Sequence, residues 1–113
     1  MPNSVVGSRA LFRDLVTQSW AALLDGNTSL ANKKSVAGDS LADDWAKAGR
    51  IEDLLGPLLD DEAEGVRFAA ASHLLTSGLS GRAIEVLLEL QSNPRGPVAP
   101  VARLRLMLWR KRS

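Results

Sequence analysis

Apolar residues recur along this chain at steps of three and four, the spacing of one helix face. The first helix is expected over residues 8–25, with Ser8 as N-cap and Leu11, Leu15, Ala22, Leu23 and Leu24 as its apolar positions, stopped at Asp25-Gly26-Asn27. The second is expected from Thr28 to Gly49. Its stripe reads Leu30, Lys34, Ala37, Leu41, Trp45 and Ala48, and Gly38 marks either a close helix contact or a weak point. A short third helix covers residues 50–60 with Ile51, Leu54, Leu55, Leu58 and Leu59 inside, and Pro57 predicts a break near Leu55. Asp60-Asp61-Glu62 reads as a turn feeding the next helix, where acids suit the N-terminal end of the helix dipole.

The fourth helix is expected over residues 63–76, with Val66, Ala70 and Leu74 on one face, Phe68, Ala69 and Leu75 beside it, and Gly78 closing it. The fifth runs from Ser80 or Gly81 to Gln91 with Ile84, Leu87, Leu88 and Val86 as candidate core. After the Asn93-Pro94-Arg95-Gly96 turn, Pro97 sits where a first helical turn tolerates it, and the sixth helix reaches Arg110.

The last two hairpins align at an offset of 32: Leu55 with Leu87, Leu58 with Leu90, Val66 with Val98, Ala70 with Ala102, and Leu74 with Leu106. Periods in this range belong to helical-hairpin arrays, in which a hairpin cannot bury its apolar face without a neighbour. The segment LLGPLLDDEAEGVRFAAASHLL, residues 54–75, resembles a HEAT-type repeat. The matching features are its paired leucines, the acidic turn at Asp60-Asp61, Val66-Arg67, and the alanines Ala69, Ala70 and Ala71 that allow close helix approach. From Ala31 onward, through Ala31-Asn32-Lys33, Val66-Arg67 and Trp109-Arg110-Lys111, the chain resembles a small bacterial family of unknown function with HEAT-like repeats. That resemblance implies a stacked helical fold and carries no activity with it. The fold expectation is all-α: about six helices in antiparallel hairpins, as one domain over residues 1–113. Residues 1–49 would form an N-terminal pair and residues 50–113 two HEAT-like hairpins.

At 113 residues the chain is long enough to bury about two-thirds of its unfolded surface without staples. The absence of cysteine excludes disulfides, thiolate metal sites and cysteine nucleophiles. No apolar run approaches the roughly 20 residues of a membrane span, and Met1 to Arg9 does not read as a secretory signal, so a cytoplasmic setting without membrane is expected. The net charge of +1 hides an asymmetry. Residues 39–65 hold nine acids and two bases, a net −7, whereas residues 95–113 hold six bases and no acid, a net +6.

Candidate chemistry is thin. His73, the only histidine, has no activated nucleophile in its sequence neighbourhood and reads as a structural or solvent-facing residue. Asp60, Asp61, Glu62 and Glu64 lack the glycine-centred calcium loop and read as a solvated turn facing Arg67. Asp39, Asp43 and Asp44 read as the wet face of the second helix. There is no glycine-rich phosphate loop and no nucleophile elbow. No catalytic, cofactor or metal residue is therefore assigned, and the chain is expected not to be an enzyme.

The sixth helix stands out. Val98, Val101, Ala102, Leu104, Leu106, Met107, Leu108 and Trp109 wrap most of its circumference, although the outer face of a terminal repeat is normally polar. Either the first two helices cover it, or it associates with itself or a partner. Arg103, Leu104, Met107, Leu108 and Arg110 are the candidate partner-binding residues. The leading expectation is a protein–protein interaction module, with self-association compatible with it. Nucleic-acid binding through the basic C-terminal helix is the alternative.

Overall fold

The computed structural model describes residues 4–93 and 95–112. Met1, Pro2 and Asn3 of the start, Pro94 of the expected turn and Ser113 lie outside the described residues. The protein is all-α: α1 (Val5–Leu24), α2 (Thr28–Lys47), α3 (Ile51–Leu55), a 3₁₀ helix (Gly56–Asp60), α4 (Glu64–Thr76), α5 (Gly81–Gln91) and α6 (Val98–Arg112). The break expected at Pro57 is the change from α3 to the 3₁₀ helix.

Local chemistry sets the helix ends. The N-cap of α1 is Ser4, not Ser8: the Gly7 amide donates to Ser4 Oγ at 2.9 Å, and Ser8 is buried in the following turn. Asn27 caps α2 by accepting from the Leu30 amide at 3.1 Å. At the C-terminus of α1, Gly26 takes φ 80°, a left-handed conformation that glycine adopts without a Cβ penalty. This lets the Gly26 and Asn27 amides donate to Leu23 and Ala22 carbonyls that would otherwise be orphaned. The same pair of bonds recurs after α2 and after α4.

Packing divides the chain into two compact units with a boundary between Leu58 and Leu59. In the N-terminal unit α1 lies against α2, and α3 packs on both. The buried stripe of α1 is Ser8, Phe12 and Ala22, with Leu15 and Ser19 half-buried along it. This corrects the expected core, because Leu11, Leu23 and Leu24 are exposed. In α2 the buried residues are Ala31, Gly38, Ala42 and Trp45, so of the expected stripe only Trp45 is fully inside, while Leu30, Ala37 and Ala48 are exposed. The helices meet through small residues around two large aromatics, so the leucines are not needed there. Serine is tolerated in the seam because Ser19 Oγ donates to the Ala31 carbonyl at 2.9 Å. Arg9 of α1 donates to the carbonyls of Leu54 at 2.9 Å and Asp53 at 2.6 Å, satisfying acceptors at the end of α3.

Gly38 faces Phe12 and Leu15, and a Cβ built there would lie 3.9 Å from each, an ordinary contact. Gly38→Ala is therefore expected to raise stability by up to about 1 kcal/mol through helix propensity. Gly38→Leu should lower it by overpacking. Thermal melts of both variants check the pair, and destabilisation by alanine would contradict this account.

In the C-terminal unit, short loops join α4, α5 and α6, so consecutive helices run antiparallel and pack on one another. Its core holds Val66, Ala70, Ala71, Leu74 and Leu75 of α4, Ala83, Val86, Leu87 and Leu90 of α5, and Val98, Ala99, Ala102 and Leu106 of α6. Leu88, an expected core position, is exposed, and Ile84 is only half-buried. All ten residues of the five pairs aligned at an offset of 32 are buried.

Candidate functional site

The last helix is anchored on two sides. Val98, Ala99, Ala102 and Leu106 point into the core of the C-terminal unit. Arg105 ties α6 to α4: its Nη2 donates to Thr76 Oγ1 at 2.6 Å and to the Ser72 carbonyl at 3.4 Å. Burial holds the Arg105 guanidinium below its ordinary pKa, and the charge of Arg112 lowers it further. At the other end, Glu64 Oε2 accepts from Asn93 Nδ2 at 2.6 Å, which joins the start of α4 to the loop leading into α6. Asn93 Oδ1 in turn accepts from the Arg95 amide at 3.1 Å. Pro100 falls in the first turn of α6, where its missing donor costs nothing.

The opposite face of α6 is open. Leu104, Met107 and Leu108 are 52%, 48% and 48% exposed, so about half of each apolar side chain meets water. Arg103 and Arg110, grouped with Met107 on one face by the sequence, are exposed as well, as are Lys111 and Arg112. All five candidate partner-binding residues thus lie on one outer surface. Helical spacing arranges that surface as two adjacent rows, Leu104–Leu108 and Arg103–Met107–Lys111. Arg110 flanks the Met107 row, and Arg112 extends the leucine row. Among the described residues none of Arg103, Arg110, Lys111 or Arg112 has an acidic partner.

The remaining candidates are placed in structural roles. His73 is half-buried in the last turn of α4. Asp60 pairs with Arg82, Asp61 Oδ2 accepts from the Ala63 amide at 2.9 Å, and Arg67 approaches Glu64 at 4.0 Å. These contacts make the acidic segment a tied turn. Asp39, Asp43 and Asp44 are exposed along α2. Among the described residues no three His, Asp or Glu side chains converge as a metal site requires, and no helix is long and apolar enough to cross a membrane.

Sequence reasoning missed the Glu64–Asn93 and Arg105–Thr76 ties, which join residues 29 positions apart. It also missed the exposure of Val6, Leu11 and Leu24 on α1. The signal for the latter was present in the stripe Ser8, Phe12, Leu15, Ser19 and Ala22, stepping by four and three, but two serines disguise it. Comparison with protein-family models, with curated proteins and with solved structures gives no match to this chain.

Proposed function

We propose that this chain is a non-enzymatic protein–protein interaction module of the cytoplasm that presents the outer face of α6 to a protein partner. The carrying observation is the half-exposed trio Leu104, Met107 and Leu108, framed by Arg103 and Arg110, on a helix whose other face is locked into a core. An apolar cluster of this kind, rimmed by charge, is how interaction sites are built. HEAT-like stacking is part of the proposal, supported by the shared burial of positions 32 residues apart. Helical-hairpin arrays typically bind and carry no chemistry of their own. Self-association through the same face is compatible with the reading, and sizing in solution reports it.

The test compares capture of proteins from a lysate of the source cell by the wild-type chain and by Leu104→Glu/Leu108→Glu, with and without nuclease. Both leucines stand half in water, so the variant should keep its circular dichroism and melt within a few degrees of wild type. It should lose a captured protein that nuclease leaves in place. Identical capture by both proteins would sink the proposal. The unpaired cations favour nucleic acid as the second reading. Under that reading the captured material would vanish with nuclease, and affinity would fall steeply with added salt.

A further inference from the structure

Resting on the interaction reading, we infer that the occupant of the α6 face is an amphipathic helix of a partner protein, with apolar residues along its contact stripe and acidic residues on both flanks. Three features of the surface lead there.

The first is backbone chemistry. The main-chain groups within α6 are bonded along the helix, so this face offers no edge to an extended peptide. A ligand lying on it must satisfy its own amides and carbonyls, and a helix does so. The second is shape. Leu104–Leu108 and Arg103–Met107–Lys111 are neighbouring ridges with a groove between them, which accepts one ridge of a second helix. The apolar part is only about two turns long, so it matches leucines spaced i, i+3, i+4 and i+7 on the partner.

The third feature is charge. Arg103 and Arg110 flank the groove on the Met107 side, Arg112 lies beyond Leu108, and Lys111 lies at the C-terminal end. Arg103, Arg110, Lys111 and Arg112 are all exposed with no acid among residues 95–113, so a partner's carboxylates would find unopposed positive charge on the face. Carboxylates on both flanks therefore set register and speed encounter, while the apolar trio supplies the buried contact. Duplex DNA would answer the cations alone and leave Leu104, Met107 and Leu108 without a counterpart.

The experiment uses the full chain and a fluorescent designed helix of about 20 residues, long enough to fold. Its stripe is leucine at the spacing above, and its flanks are glutamate. Two further probes are a scrambled peptide of the same composition and a version with lysine for glutamate. Anisotropy titrations should show the acidic amphipathic peptide binding at least about tenfold more tightly than either control. Leu104→Ser/Leu108→Ser should erase the preference over the scrambled peptide. Arg103→Glu/Arg110→Glu should weaken the acidic peptide about tenfold and favour the lysine peptide instead. Circular dichroism of each variant confirms the fold, and the reversal of preference cannot come from unfolding.

Equal binding of the scrambled peptide overturns the inference, because charge alone would then suffice. Tighter binding of a DNA duplex or of phosphatidylserine vesicles than of the acidic peptide also overturns it. If the acidic peptide fails while Leu104→Glu/Leu108→Glu still abolishes capture of a protein from lysate, the interaction module stands and the acidic helix falls. If that capture does not depend on Leu104 and Leu108, the parent reading falls too.

Discussion

Trp45→Ala is expected to lower stability by about 3–5 kcal/mol, the range for deleting a buried large aromatic. The side chain is 1% exposed and is among the largest fully buried groups in the protein. It shares the buried side of α2 with Ala31, Gly38 and Ala42. Small residues of that kind have no side-chain reach with which to fill a void, so the cavity would persist, and its cost adds to the lost transfer energy. The total stability of a domain this size is about 5–15 kcal/mol, so about a fifth or more should disappear in one substitution. Two companion variants separate the contributions. Arg50, whose guanidinium lies 4.8 Å from the centre of the Trp45 ring, is exposed, so Arg50→Ala should cost no more than about 1 kcal/mol. Trp45→Phe should cost clearly less than alanine. It keeps much of the volume and removes an indole N–H that is buried without a hydrogen-bond partner. Urea unfolding followed by far-ultraviolet circular dichroism measures all three. A loss under about 1 kcal/mol for Trp45→Ala would show that the seam between α1 and α2 is not the core of its unit.

The helical class was legible because its signals are local. Gly26, Gly49 and Gly78 each follow a helix and take a left-handed conformation there, and Pro57 marks the change from α3 to the 3₁₀ helix. The positions that align at an offset of 32 were legible as core positions, because each is apolar in both members of its pair and each is buried. The face of α1 was not. Hydrophobicity favours Leu11, Leu23 and Leu24, yet the inward stripe runs through Ser8, Phe12, Ser19 and Ala22. A serine that finds a main-chain acceptor across the seam, as Ser19 does at Ala31, is as suitable there as an alanine. That acceptor belongs to another helix and cannot be read from a periodic pattern. On α6, the excess of apolar residues around the circumference left open whether the first two helices cover it, and Leu104, Met107 and Leu108 are about half exposed. Arg105, counted with the basic tail, is instead drawn toward α4 by Thr76, and the remaining cations are left to frame Leu104, Met107 and Leu108.

Adjacent leucines pose the same difficulty in its sharpest form, and α5 supplies a test. Leu87 and Leu88 have the same side chain, the same helix and nearly the same sequence environment. Leu87 is 0% exposed and Leu88 is 38% exposed. Leu87→Ala should cost about 2–5 kcal/mol, since the side chain is enclosed on every side and its removal leaves a void. Leu88→Ala should cost under about 1 kcal/mol, because water already reaches the site and alanine is the better helix former. Helix propensity affects both substitutions alike, so the difference between them isolates packing. Denaturant midpoints at unchanged slope measure that difference. Leu55, the position aligned with Leu87, is also fully buried, and Leu55→Ala should fall in the same upper range. Equal losses at Leu87 and Leu88 would mean that α5 is rotated about its axis from the orientation described here. Val86 and Leu90 would then have to leave the core, since on the helix both lie on the side of Leu87 away from Leu88.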